Sequence, residues 1–510
     1  MNPPECFKSV ASSARCRWEQ LENDRELAAP WHQLFRQVQS PRHVLSELLQ
    51  NADDAGAKSA SVRVLDDEFV FEHDGEDFTV EQFQSLCRFG YSNKGNMHTI
   101  GFRGVGFKST FSLGSRVRVQ TPTLDVVFDR QRFTMPIWSN NATATPRTRV
   151  SVVVDGKPRL VAVRKNLEAW ASSPASMLFF RNLQELTIES HRIRKEVMGR
   201  GPIADSQRIR LTGVKTEDLI LIRSAEEPFP EEVVSEIQEE RNAEALHLPP
   251  CSVELVLGLE GEQRLFVVLP AGTEVALPFS INAPFLQNPD RTAIKDPETS
   301  VCNQWLLNRA GKLASDAMVT WLEREQLSLE NRANAYRLLR GPVVAADDLC
   351  SSVTKQVMDT MLEALEGRKF VLTVRGSLAA VGDCTALPAA LHEVWEPKQL
   401  SGVFAAASRH LLSPVIPRSA CQTLEAHGWV QSVSVADALQ ALGEQAVVPK
   451  PSSWTRLQLL WGWVEENIGW EFTGDHRRAL RIVPVEAVVI GRLSAVVIFR
   501  DWAESGTGGF

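Results

Sequence analysis

Between residues 41 and 154 the hydrophobic pattern switches repeatedly between the 3.6 period of a helix and the 2 period of a strand. No other feature restricts the chain as much. Ser40 followed by Pro41 opens a helix, as N-cap and first-turn proline. Val44, Leu45, Leu48, Leu49, Ala52 and Ala55 recur along one side of it, and Gly56 stops it. The next stretch predicts a hairpin, with a strand over 61–65, a turn at Asp66 and Asp67, and a strand over 68–72. A helix over 79–89 follows, then a polar glycine-bearing loop over 93–103 and a helix over 104–113. Strands over 116–120, 124–128 and 149–154 close the unit. Elements this short bury their apolar faces only against one another, which predicts an α+β layer of helices on one face of a mixed sheet.

The remaining text is looser. Residues 1–30 read as a polar lead-in helix over 14–27 that ends at Pro30. Residues 156–340 read as a mixed α/β unit with strands over 208–212, 252–258 and 264–269 and a long helix over 304–322. An acidic stretch over 226–244 interrupts it as an exposed helix or insertion. Residues 341–510 read as a helix-rich α/β region with helices near 436–442 and 454–468. There, 369–380 and 480–496 both suggest strand, turn, strand, an echo too weak to define a repeat.

Composition narrows the function classes. A chain of 510 residues holds about three domains at roughly 100–200 residues each. Its apolar runs fall short of a bilayer span, and the first residues lack the apolar core of a signal peptide, so a cytoplasmic location is expected. Eight cysteines with no C-x-x-C pair argue against a zinc ribbon or a disulfide framework. A net charge of −8 gives no global basic field for nucleic acid, which leaves direct nucleic-acid binding open at the level of a local patch.

Three polar landmarks carry chemistry. Glu47, Asn51 and Asp54 stand at i, i+4 and i+7, sharing a stripe about 60° wide that adjoins the apolar arc and faces away from it. A carboxylate there can act as general base at Glu47, and Asn51 can offer Mg²⁺ an oxygen, although a solvated helix face has the same pattern. Asp74 and Gly75 follow a strand, where the acid can accept from an exocyclic amine and the glycine lets a base approach the backbone; an ordinary turn reads alike. Gly101, Gly104 and Gly106 lead into a helix, whose free N–H groups suit phosphate. Their spacing fits neither the Rossmann nor the P-loop fingerprint.

Taken in this order the landmarks resemble the GHKL (Bergerat-fold) ATPases. ELLQNADDAGA at 47–57 is similar to the first motif of that family, and HDGEDFT at 73–79 to the second, with D-x-G-x-G reduced to D-G-x-x-F. YSNKG at 91–95 with TIGFRGVGFKSTF at 99–111 is similar to the third. The variants look most like the Hsp90-like domain of sacsin and its bacterial relatives, and the likeness covers roughly residues 40–155. It implies a Bergerat α/β sandwich over 31–155 and a transducer-like domain over 156–340, with ATP and Mg²⁺ as ligands. By position it implies Glu47 as the residue that activates water, Asn51 as the Mg²⁺ ligand and Asp74 as the reader of the adenine amine, beside Gly75. Asp54 and Thr148 would support the base. Lys94, Gly101, Arg103, Gly104, Val105, Gly106 and Phe107 would hold the phosphates.

Further along, Leu277 to Phe285 followed by Arg291 resembles the stretch after the ATPase domain in sacsin-like proteins. It suggests Arg291 as a cation for the terminal phosphate, with Lys295 as the weaker choice; a surface pair with Asp290 or Asp296 is the competing reading. His43, Arg477 and Arg478, the basic run 192–195 and the tryptophans at 454, 461, 463 and 470 are expected in packing or solvated roles. The implied activity is slow ATP hydrolysis driving a conformational switch, with ATP-dependent self-association, a homodimer, and a nuclease or helicase partner in an anti-phage or DNA-processing system. A chaperone for protein clients and a non-hydrolysing ATP-binding scaffold are the alternatives.

Overall fold

The computed structural model describes residues 1–23, 41–88, 106–241, 248–261, 263–288, 293–342, 348–404, 410–445 and 449–467. The fold is mixed α+β, built around a large mixed sheet. The chain divides into two compact units, Met1–Leu313 with Asp347–Val357, and Ala314–Ala346 with Met358–Phe510.

In the first unit, helix α1 (Glu5–Asn23) begins nine residues before the expected lead-in helix and is amphipathic, not polar. Phe7, Val10, Ala14 and Trp18 recur at three- and four-residue steps and are buried. Phe7 meets Trp138 edge-on at 5.0 Å, and the Trp18 indole donates to Thr134 Oγ1 at 2.8 Å. A single turn of 3₁₀ helix over Pro41–His43 then leads into α2 (Val44–Asp54), which stops where Gly56 takes a φ of 74°. Strands β1 (Ser59–Leu65) and β2 (Glu68–His73) form the expected hairpin. Helix α3 (Val80–Leu86) starts on a capping box between Thr79 and Gln82. Where a helix was expected over 104–113, Gly106–Ser112 forms a 3₁₀ helix. Strands β3 (Arg116–Gln120), β4 (Asp125–Asp129), β5 (Pro136–Trp138) and β6 (Thr148–Val153) follow.

Register explains how these strands make a site. Val64, Phe69, Val152, Val117 and Phe128 form one row across the sheet, all buried. Val62, Phe71, Val150, Val119 and Val126 form the next. One row further on, Ala60 pairs with His73 and His73 with Thr148, so the apolar face turns polar at one end while staying buried. Alternation puts Arg63, Glu72 and Arg149 on the opposite face, where both arginines approach Glu72, at 3.5 and 3.8 Å. Val44, Leu45, Leu48, Leu49 and Ala52 of α2 belong to the same hydrophobic cluster as the apolar rows.

The sheet continues past β1. Helix α4 (Lys157–Ala171) precedes β7 (Glu185–Ile188), which pairs parallel to β1. The parallel register is reached through that helix, as a crossover requires. Beyond it come β8 (His191–Arg200), β9 (Ser206–Thr212) and β10 (Thr216–Arg223), all antiparallel neighbours. Helix α5 (Glu231–Arg241) occupies the acidic stretch, yet Val233 and Ile237 are fully buried, so it is a packed helix. Strands β11 (Glu254–Leu257), β12 (Gln263–Val267), β13 (Leu269–Val275) and β14 (Ser280–Asn282) bring the sheet to fourteen strands among the described residues, followed by α6 (Val301–Leu322).

The second unit carries a two-stranded hairpin, Val371–Leu372 with Leu378–Ala379, as the first half of the echo suggested. The second half, 480–496, lies outside the described residues, as do Trp470, Arg477 and Arg478. Three short parallel strands centred on Cys384–Ala386 complete its sheets, and helices Val435–Gly443 and Trp454–Asn467 occupy the expected places. Trp454 is half exposed, while Trp461 and Trp463 pack against the apolar cluster of this unit. Among the described residues no helix is long and apolar enough to cross a membrane.

Candidate functional site

The three landmarks do not share one environment. Glu47 is only 4% exposed, Asn51 is half-buried and Asp54 is exposed, so the stripe descends into the protein at its N-terminal end. It is therefore not a uniformly outward face. The α2 helix that bears it packs against the 3₁₀ turn Gly106–Ser112. Phe107 is buried there, edge-on to Phe128 at 5.5 Å. Lys94, Gly101, Arg103, Gly104, Val105 and Arg291 lie outside the described residues. Lys108, next in the glycine run, points inward. Its ammonium donates to the Leu86 carbonyl at the end of α3 and lies 4.9 Å from the Phe107 ring centre; burial pulls its pKa down to about 8.

The end of α2 and the acid–glycine turn are locked together. Glu76 N–H donates to the Ala55 carbonyl at 2.8 Å, and Asp74 N–H to the Ser59 carbonyl at 3.2 Å. A Cβ on Gly75 would stand 2.8 Å from the Ala55 oxygen and 3.0 Å from the His73 Nδ1, so only glycine fits this turn without displacing backbone. The Asp74 carboxylate accepts from the backbone N–H groups of Lys58 and Ser59, both at 2.8 Å, and from the Ser59 hydroxyl at 2.7 Å. Its burial works to raise the pKa, but the bonds from Ser59 and Lys58 outweigh it and the net direction is down. A carboxylate offers about four acceptor positions, so roughly one remains for an outside donor.

His73 sits behind this turn, 6% exposed, with Nδ1 accepting from the Gly75 N–H at 3.1 Å. The ring is therefore neutral, with its proton on Nε2. Burial lowers its pKa to about 4, against the opposing pull of Asp74. The unfolded chain takes up a proton near pH 6.5 and the folded chain only near 4. Stability from this residue is thus complete above pH 6.5 and falls away as pH drops toward 4, by roughly 3 kcal/mol. Comparing denaturant unfolding of the wild type with His73→Gln at pH 7 and pH 4 isolates the difference. An equal acid loss in both proteins would show that His73 is not held neutral.

Thr148, paired with His73 across β2 and β6, is 3% exposed and its hydroxyl has no hydrogen-bond partner among the described residues. An orphaned buried hydroxyl is uncommon and calls for a ligand or water to satisfy it.

Two residues that sequence reading passed over hold the frame. Asp53, beside the expected Asp54, is buried and accepts from the backbone N–H groups of Arg181, Asn182 and Leu183 at 3.0, 2.7 and 2.8 Å. Asn303 on α6 is fully buried; its oxygen accepts from Leu286 N–H at 2.8 Å and its amide donates to the carbonyls of Leu286 and Lys295, both at 2.9 Å. It clamps Leu286 and Lys295, which flank the antiparallel bridge between Gln287 and Ile294; Arg291 lies between them in sequence, outside the described residues. Gln287 on one stem lines a cavity of about 290 Å³ together with His43, Ser46 and Gln50 of α2 and its approach, next to Glu47 in the helix. Lys295, the alternative cation, is engaged by Glu240. Lys195, expected to be solvated, is turned inward onto the carbonyls of Leu178 and Phe180, and burial lowers its pKa to about 8. The spacing rules could not reveal these partners, which lie 8 to 130 residues away.

No protein-family model matches the chain, and no curated protein matches it.

Proposed function

We propose that this chain is an ATP-binding and slowly hydrolysing ATPase of the GHKL type, with a Bergerat arrangement over 31–155, acting as a conformational switch. The observation that carries the reading is the joint at Ala55. It ties the helix bearing Glu47 and Asn51 to the Asp74–Gly75 turn, with the unsatisfied Thr148 hydroxyl behind it. The residues fit a purine nucleotide: an acid with a spare acceptor position and a buried hydroxyl in want of a partner. Gly75, its Cβ space taken up by Ala55 and His73, holds the turn that presents the acid and does not open the backbone to a base.

Mg²⁺, when bound, supplies positive charge that offsets the phosphates, and Asn51 would give it one amide oxygen beside phosphate and water ligands. A carboxylate oxygen of Glu47 takes the proton from the attacking water. Burial of Glu47 on α2 keeps that carboxylate from bulk solvent. Gln287, four residues before Arg291, lines the same cavity as Ser46 and Gln50 of α2, and a cation supplied by Arg291 would stabilise charge developing on the terminal phosphate. Because base and cation come from elements far apart in sequence, turnover is slow until both are assembled. Self-association into a homodimer and a nuclease or helicase partner belong to the same proposal.

Asp74→Asn is the discriminating variant. The amide oxygen still accepts from Lys58 and Ser59, and the amide NH₂ donates to the Ser59 hydroxyl, so the turn survives. What is lost is the acceptor facing an adenine amine. ATP affinity measured by calorimetry should fall roughly 10- to 100-fold, the worth of one charge-assisted bond. Unchanged affinity with an unchanged melting temperature would remove Asp74 from base recognition and the reading with it.

A further inference from the structure

A second concave site lies on the far half of the sheet, and nothing in the ATPase reading uses it. Strand β8 is ten residues long, but β7 covers only His191–Arg194. One further bond, from Lys195 N–H to the Gln184 carbonyl at 2.8 Å, ends the pairing on that side. Among the described residues Glu196–Arg200 therefore presents an open edge, and the two-residue repeat aims the Val197 N–H the same way as that of Lys195. Natural edges are normally guarded by charge or distortion. β8 has a bulge between Val197 and Gly199 on its β9 side, yet Val197 is 61% and Met198 51% exposed.

The edge borders a cleft of about 970 Å³ whose other wall is the segment from Leu178 to Arg181. Phe179, Ile209 and Leu221 make its floor apolar. A fixed polar rung closes one end. Arg223, Glu254 and Asn282 are register neighbours across β10, β11 and β14, and the buried Glu254 carboxylate accepts from Arg223 at 2.7 Å and from the Asn282 amide at 2.7 Å. The Asn282 oxygen in turn accepts from the N–H of Val268 at 2.9 Å. Val268, the single residue joining β12 to β13 where Val267 pairs with Leu269, takes a φ of 64° to make that turn.

Charge selects the occupant. Of the cations on β8, Arg192 pairs with Glu185 and Arg194 with Glu196, and the Lys195 ammonium is turned onto the carbonyls of Leu178 and Phe180. Glu226 also lines the cleft, so the charge offered to an occupant is that of Arg200 on the strand and Arg181 in the cleft. Arg200 and the cleft residue Arg181 make no ion pair among the described residues. Phe179 and Phe180 are buried and offer no open ring for a base to stack on, which disfavours single-stranded nucleic acid. We propose that the cleft is a peptide-binding groove. An extended acidic polypeptide segment adds as a strand along Glu196–Arg200, its apolar side chains against Val197 and Met198 and its carboxylates on Arg181 and Arg200. The edge is about 17 Å long, the reach of a five-residue strand, and backbone pairing supplies affinity while alternate side chains supply selection.

The test uses the full chain without nucleotide and a fluorescein-labelled acetyl-(Glu-Val)₃-amide peptide, followed by anisotropy. Saturable binding is expected, weakened at least tenfold by the double variant Arg181→Glu, Arg200→Glu and abolished by Val197→Pro, which removes the edge donor. Melting curves check that both variants are folded. Hydrogen exchange on the wild type is the safeguard for a proline variant that fails to fold, because the Val197 amide should exchange more slowly with peptide present. The proposal is overturned by absence of saturable binding, or by equal binding of a (Lys-Val)₃ peptide. Displacement by oligothymidylate, an unchanged affinity in the arginine variant, or unaltered exchange at Val197 overturns it as well.

Discussion

Asp53→Ala is expected to destabilise the first unit by about 3–5 kcal/mol, the range for removing one member of a buried charge-assisted cluster. The carboxylate is 7% exposed and is the acceptor for three consecutive backbone N–H groups, Arg181 to Leu183. Alanine leaves all three donors without their partner in a place water reaches poorly, and an unsatisfied buried donor costs more than the bond itself was worth. Asp53→Asn should lose less, since one amide oxygen can still accept from two of the three. Urea unfolding of the full chain gives the order: wild type, then Asn, then Ala. A midpoint for Asp53→Ala within about 1 kcal/mol of wild type would mean that the 181–183 segment finds other acceptors, and that the end of α2 is not anchored as described.

That residue also shows where reading the chain alone runs out. Asp54 stands out in the sequence because it completes a helical stripe, whereas Asp53 looks like its redundant neighbour. The helix itself is legible from Val44 to Gly56 because apolar spacing and a glycine stop agree. Pro41 falls in the 3₁₀ turn ahead of it, with His43 and not Ser40 at the helix start, and Ser40 lies outside the described residues. The hairpin around Asp66 is legible from two alternating apolar runs on either side of an Asp-Asp turn. What Asp53 does depends on the backbone some 130 residues later, and no local period encodes a partner at that distance. The same holds for Asn303, which stands just before the helix expected over 304–322 and in the first turn of α6, where a polar residue would read as exposed, yet it is 0% exposed and bonded to Leu286 and Lys295. Helix α1 failed differently. Its lysine, arginine and glutamate residues mask a four-residue apolar face, Phe7 to Trp18, which alternates with them at helical spacing. The parallel joint between β1 and β7 is likewise invisible to periodicity, because α4 separates the strands.

Glu47→Gln carries the largest expected effect on activity. Glutamine matches the size of the side chain and can keep its buried place on α2, but it cannot take a proton from water. Phosphate release under single-turnover conditions should fall by about 10²–10⁴-fold, the contribution of a positioned general base. ATP affinity should stay within about threefold of wild type, because the loss lies in the transition state and not in ground-state binding. The pairing of the two readouts matters. A variant that loses binding as well has lost its fold or its pocket, which the melting temperature separates. A variant that keeps both binding and turnover removes Glu47 from the chemistry, and the burial of its carboxylate then belongs to packing. Only loss of turnover with binding retained assigns the proton to this residue, and it would do so independently of whether Arg291 completes the charge on the other side.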